Sequence, residues 1–465
     1  MVIDIQTVRV HEASPHRRKA LLTLAFACVL GAVMWIPVAL PEWSGWTTPL
    51  LVVVPGLLAI AVMRFSIVSA AYLMESALFF GVTSLILGSD WQPRLVSAVL
   101  AWSLAIAAGT LLGGPSSSRL TSPASRSWLE PRWPHYLLSG GLIGVGAYLA
   151  LSGSSGYSAQ IMNGVSTPTG ILGMLSVVSP IVTLTLLLSC IGSERRSRGA
   201  IVLAGAQMLV LALTGFRGAA GVFIVSILVG AALTLPCESA WRRKSRLLIV
   251  LPALLVMLIT TFVLGANIRN SAATRLGVSS SGTQLFTLDN ALINTSTRLQ
   301  LGTYLDTAIK YRNDAGLKEA VSWGTQLQAA VPRFLWRDKP NVDYGNQISV
   351  AMYGSASARS STPITTIGDC LLNYGPVGLV LIGLLVGYAF RRVAARVRSS
   401  TGGMSVLVCA LVSYSAMNQE GAILLTLIGI LRNGLVAGGL WAAVTLVSNF
   451  EMTHSSGSMI RAGSD

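Results

Sequence analysis

Apolar residues recur along this chain in runs of about 15 to 26, the length that crosses a hydrocarbon core of roughly 30 Å at about 1.5 Å per residue. The runs lie near 20–40, 49–63, 67–88, 95–113, 136–151, 170–191, 200–214, 218–235, 247–266, 369–390, 403–417 and 421–447, twelve in all. Each can close its own backbone hydrogen bonds as a helix inside lipid. The pattern predicts an all-α polytopic membrane protein with about twelve transmembrane helices.

One stretch breaks the rhythm. Between the ninth and tenth runs lie about a hundred residues, 267–367, with ten Lys/Arg (Arg269, Arg275, Arg298, Lys310, Arg312, Lys318, Arg333, Arg337, Lys339, Arg359) against six Asp/Glu. Structureless loops of this length are rare unless functional. Within 299–311, Leu301, Tyr304, Leu305, Ala308 and Ile309 recur at spacings of three and four, predicting a surface helix. A second helix is expected over 317–331, ended by Pro332. The chain thus divides into helices one to nine (1–266), a large, partly helical loop (267–367), and helices ten to twelve with a tail (368–465).

Composition agrees with this reading. Hydrophobic residues make up 52% and charged residues 11%, against roughly 25% charged in soluble domains, too few to coat a water-soluble body of this size. The first run follows Arg17, Arg18 and Lys19, as a secretory signal would, but it is long, holds Trp35 and lacks a small-residue cleavage site. A retained first helix is expected. The five cysteines form no C-x-x-C pair, which supports neither a disulfide framework nor a zinc site.

The formal charge of +15 invites a nucleic-acid reading until its positions are mapped. Arg64, Arg119, Arg126, Arg132, Arg195, Arg196, Arg198, Arg242, Arg243, Lys244, Arg246, Arg391, Arg392, Arg396 and Arg398 all fall in alternate connections, whereas 41–48 and 88–94 carry almost no positive charge. The positive-inside rule then places both termini in the cytoplasm and the long loop outside. No nucleic-acid partner is expected. The expected location is the cytoplasmic (inner) membrane of a bacterium, with the bilayer itself as a partner.

Candidate chemistry gathers at the outer face. Arg217, in Thr214-Gly215-Phe216-Arg217-Gly218, follows a run of only about 14 residues, or roughly 21 Å of helix, and so is expected recessed at the membrane mouth. Flanking glycines would let a phosphate approach it closely; the plainer reading is a snorkelling interfacial arginine. The segment Pro332-Arg333-Phe334-Leu335-Trp336-Arg337-Asp338-Lys339-Pro340 holds three cations and two aromatics, suited to phosphate and sugar or to a lipid headgroup layer. Asp369 precedes Asn373 and Tyr374 at the start of the tenth run. Its carboxylate is a candidate proton acceptor for a sugar hydroxyl, with Glu420 as a second, or else a structural partner of Arg217. Arg432 lies inside the last run, and Glu75, near the middle of the third, is its expected counter-charge; the alternative is that Arg432 marks a helix end. His11, His16, His135 and His454 all fall in predicted cytoplasmic segments, and the first outer loop has no paired-carboxylate motif, so no metal and no cofactor are expected.

Taken together, Thr214-Gly215-Phe216-Arg217-Gly218, the long loop with Pro332-Arg333-Phe334 and Lys339-Pro340, and Ile367-Gly368-Asp369 with Asn373-Tyr374-Gly375 and Gly378 resemble the O-antigen and exopolysaccharide repeat-unit polymerases, the Wzy-like membrane glycosyltransferases. The resemblance covers about 214–378 and the general layout. It implies a metal-independent polymerase that transfers a growing chain from polyprenyl pyrophosphate to the next lipid-linked oligosaccharide repeat unit, with no nucleotide sugar. Arg217 matches the family's outer arginine; Arg298, Arg333, Arg337 and Lys339 are carried as substrate-binding by their place in the loop, beside Asn373 and Tyr374. A chain-length regulator and a flippase are the protein partners it implies. The related O-antigen ligases fit less well, because the outer-loop histidine associated with them is missing. A flippase or transporter accounts for the spans but not for the loop, and no repeated halves are found.

Overall fold

The computed structural model describes residues 44–63, 65–89, 91–113, 131–156, 159, 170–192, 198–214, 217–234, 260, 263–265, 267–268, 300–311, 313, 322–331, 336, 350, 364–399, 403–416 and 419–461. Among the described residues every regular element is helical. In chain order these are α1 (Ser44–Met63), α2 (Ile67–Ile86), α3 (Pro93–Leu112), α4 (Trp133–Leu151), α5 (Ile171–Gly192), α6 (Arg198–Leu213), α7 (Arg217–Thr234), α8 (Leu301–Lys310), α9 (Trp323–Ala330), α10 (Thr366–Ser399), α11 (Gly403–Ala416) and α12 (Ile423–Arg461). Helices stand where ten of the twelve apolar runs lie; run 20–40 and most of run 247–266 are outside the described residues. Five helices, α2, α3, α5, α10 and α12, are long and apolar enough to cross a membrane, and α1, α6, α7 and α11 contain shorter apolar helices.

The burial pattern is consistent with a membrane protein. Leu57, Ile60, Ile171 and Leu435 are between 62% and 78% exposed, while Ser69, Ser76, Ser103, Thr110, Gln207 and Gln419 are buried. In water so much exposed aliphatic surface would drive association. Without a hydrophobic force between helices, packing rests on close approach and buried hydrogen bonds.

The closest approach joins α3 to α10, which run parallel. Ala105 and Gly109 on α3 face Gly383 and Gly387 on α10, and a Cβ at Gly109 would lie 2.0 Å from the carbonyl oxygen of Leu384. One at Gly387 would lie 2.1 Å from that of Ile106. Only glycine fits at these two positions. The Thr110 hydroxyl then sits 2.8 Å from Ser69 Oγ, which ties α2 to the same seam.

Two ends of the bundle can be told apart. Arg391 donates to the Phe65 carbonyl, and Arg132, ahead of α4, donates to the Ser448 carbonyl on α12. Arg198, at the start of α6, lies at this same end, because α6 runs parallel to α4: Gly140 faces Leu203 and Gly146 faces Val210. This basic end is opposite the one that carries α8 and α9. At the latter, Gly302 of α8 packs on Trp91, Ala308 packs on Gly368, and Gln300 donates to Ser89 Oγ at 2.7 Å. The surface helix expected over 299–311 is α8, with Leu301, Leu305 and Ala308 buried as the spacing requires. The second expected helix is seen as α9.

Candidate functional site

The loop-bearing end is organised by the irregular start of α10. Thr365, buried and β-branched, holds φ at 66°, in the left-handed region that such residues avoid. Its hydroxyl accepts the Gly368 N–H at 3.0 Å, and its carbonyl accepts the Asp369 N–H at 2.9 Å. A side-chain cap thus offsets the backbone strain. Ten residues after Thr365, Gly375 at φ 68° followed by Pro376 interrupts the helix. The residue before proline is pushed out of the helical region, and glycine alone takes this positive φ freely. The turns between Thr366 and Tyr374 therefore form a short platform of their own.

Asp369, Asn373 and Tyr374, proposed from sequence as site residues, do come together on that platform. The Asp369 side chain is fully buried. Its Oδ1 accepts from Gln326 Nε2 at 2.9 Å and Asn373 Nδ2 at 2.9 Å, and its Oδ2 accepts the backbone N–H of Ile423, the first residue of α12, at 3.0 Å. A carboxylate against the first N–H of a helix also meets the positive end of its dipole. Tyr374 stacks edge-on against Trp323 of α9, ring centroids 5.6 Å apart. Asp369 thus fastens three elements: its own platform, the start of α12 and the loop helix α9.

A second knot lies beside it. Gln419, in the turn between α11 and α12, accepts the Thr366 N–H through its carbonyl at 2.9 Å. Its side-chain Nε2 donates to the Tyr72 carbonyl at 2.9 Å and to Glu75 Oε2 at 3.2 Å, and its Oε1 lies 3.1 Å from Ser76 Oγ. Directly after Ser76 the backbone of α2 widens into a π-helical stretch, Ala77–Val82, a feature often found at functional positions. Glu420, the second candidate carboxylate, is next to this knot in sequence and half-buried.

The expected Glu75–Arg432 pair does not form. Glu75 is buried with Gln419 as its partner. Arg432 is exposed on α12 and, among the described residues, reaches only the amide oxygen of Asn433, at 3.3 Å. The physical reason is azimuth: among the described residues α12 packs chiefly against α4, α5, α9, α10 and α11, while Glu75 turns to Gln419. The alternative that Arg432 ends a helix also fails, since α12 is continuous through it.

Arg217 opens α7, and its side chain is outside the described residues. The turn before it reaches the loop-bearing end: α4 closes there, and the Thr214 carbonyl packs on Gly156, where a Cβ would lie 2.3 Å from it. Arg298, Arg333, Arg337 and Lys339 are outside the described residues; Trp336, between them in sequence, is exposed. Among the described residues no cluster of His, Cys, Asp or Glu has the makings of a metal site.

No family model, curated protein or solved structure matches this chain.

Sequence reasoning missed Gln326 and Gln419, which bind the knots together. Gln326 is one of several polar residues in the long loop and Gln419 a polar amide just before an apolar run, and their partners are 43 and 344 residues away.

Proposed function

We propose that this protein polymerises polyprenyl-pyrophosphate-linked oligosaccharide repeat units into a surface polysaccharide, O-antigen, capsule or exopolysaccharide, at the outer face of a bacterial inner membrane. The observation that carries the reading is the docking of α8 and α9, from the long loop, onto the end of the bundle where α7 begins at Arg217. A lipid-linked donor keeps its prenyl tail in the bilayer and its pyrophosphate at such a mouth.

In this reading the acceptor sugar hydroxyl attacks the donor's anomeric carbon, and the new glycosidic C–O bond replaces the bond to pyrophosphate. The pyrophosphate departs with the electron pair, stabilised by Arg217 and the cations of the loop, among them Arg298, Arg333, Arg337 and Lys339. The hydroxyl proton passes to a carboxylate or to the leaving phosphate. Asp369 suits that proton less well than the sequence suggested, because three donors already occupy its oxygens. It is assigned here as a positioning residue that sets α9 over the mouth. Glu420 becomes the better-placed carboxylate, since it is half-buried rather than enclosed.

A second reading, translocation of the lipid-linked unit, is favoured by Glu75, a carboxylate held inside an apolar helix beside a π-helical stretch. Deleting the gene and resolving surface polysaccharide by gel separates the two. Loss of long chains with single units still displayed supports polymerisation. Accumulation of lipid-linked units inside supports translocation, and an unchanged ladder rejects both.

A further inference from the structure

We propose that the outward face of α12 around Arg432 docks a transmembrane helix of another protein that carries an aspartate or glutamate at matching depth. This inference is independent of the reaction assigned above.

Along the apolar part of α12, Ile423–Ser448, Leu427, Leu431, Leu435, Leu446 and Val447 are exposed, and burial is confined to a few residues such as Ala437 and Trp441. Its start is pinned by Asp369 at the loop-bearing end, and Arg432 follows Ile423 by nine residues, about 14 Å along the helix. That depth is near the middle of a hydrocarbon core of roughly 30 Å. An arginine there demands an anion or water, and among the described residues its guanidinium meets only the neutral amide of its neighbour Asn433.

Among the described residues no carboxylate pairs with Arg432. Across the twelve apolar runs the only carboxylates are Glu75 and Asp369, so no other run supplies one, whichever helix lies nearby. Glu75, on α2, accepts from Gln419, and Asp369 is spent on three donors.

The face itself is shaped for a helix. Arg432, Leu435, Gly439, Ala443 and Leu446 are exposed at spacings of three and four, and a Cβ on Gly439 would meet nothing within 4 Å. Small residues four apart allow a second helix to approach closely. A second copy of this chain is the wrong occupant. Copies inserted in the same orientation and joined through this face would bring their Arg432 cations together at one height. Charge complementarity selects a foreign helix with a mid-membrane carboxylate.

The test uses the full-length protein in nanodiscs with synthetic Leu/Ala transmembrane peptides that carry one central Asp, Leu or Lys, read by energy transfer from a dye on the protein. The Asp peptide is expected to associate about tenfold more strongly than the Leu peptide. Arg432→Leu, which lipid tolerates, abolishes that preference, and Arg432→Glu transfers it to the Lys peptide. Equal binding of all three peptides, or Asp-peptide binding unchanged in Arg432→Leu, overturns the proposal. So does self-association that Arg432→Leu abolishes, or a co-purifying anionic lipid lost in that variant without any Asp preference.

Discussion

Replacing Asp369 by alanine removes the acceptor for Gln326, Asn373 and the first N–H of α12 at once. A hydrogen bond to a charged group contributes about 1.5–3 kcal/mol, and a buried donor left without a partner costs about 1–3 kcal/mol. Asn373 and Gln326 are side chains that can turn elsewhere, whereas the Ile423 N–H is fixed by the helix. The expected loss is therefore about 3–5 kcal/mol rather than the full sum, and about 1–3 kcal/mol for Asp369→Asn, which keeps one acceptor oxygen. The assay is thermal denaturation of the detergent-solubilised protein, paired with hydrogen exchange over 323–330 and 423–427. Both segments should exchange faster in Asp369→Ala, because that carboxylate holds both. If Asp369 instead acts as the proton acceptor in catalysis, Asp369→Asn would abolish chain extension with the melting curve unmoved. That result, or wild-type protection of both segments in Asp369→Ala, refutes the positioning role.

Further consequences can be checked in the same preparations. Arg217→Ala should abolish chain extension while leaving the amount of protein in the membrane unchanged, read by polysaccharide gel and immunoblot; wild-type chain lengths reject its role. Gly387→Leu forces a side chain into the Ile106 carbonyl and should cost about 1–3 kcal/mol or more, with Gly383→Ala, against Ala105 and Trp102, milder, both read by melting temperature. His135, one residue ahead of the fifth apolar run, has its pKa held below 6.5, mainly by burial, while its Nδ1 accepts the Arg132 N–H and its ring lies 4.6 Å from that of Trp441. A depressed pKa means that the unfolded chain binds the proton more readily. The contact's stabilisation is therefore present above about pH 6.5 and lost as pH falls through the lower folded value. His135→Gln should flatten the melting temperature over that window, and an unchanged slope would show that the ring does not titrate as described.

Much of this fold was written in one-dimensional pattern. A membrane helix needs a long apolar run, so α2, α3, α5, α10 and α12 could be placed before any coordinates, and α8 declared itself by the spacing of Leu301, Leu305 and Ala308. The azimuth of each helix was not written there. An apolar run states that a helix crosses, not which neighbour it faces, and so Glu75 and Arg432 were matched by sign when packing turns them apart. The site was half legible. Asp369, Asn373 and Tyr374 sit together because they share one helical platform, a local relation. Gln326 and Gln419 join through contacts far apart in sequence, which no periodicity reports. The left-handed Thr365 was hidden as well, since nothing in a Thr-Thr pair announces a strained backbone.

The central claim is that the loop-bearing mouth joins lipid-linked sugars, and reconstitution tests it most directly. Purified full-length protein in liposomes, given only a polyprenyl-pyrophosphate-linked oligosaccharide, should build a ladder of products and release one polyprenyl pyrophosphate for each bond formed, and Arg217→Ala should build none. Folded wild-type protein that forms no ladder, while the lipid-linked unit moves from one leaflet to the other, would contradict the account.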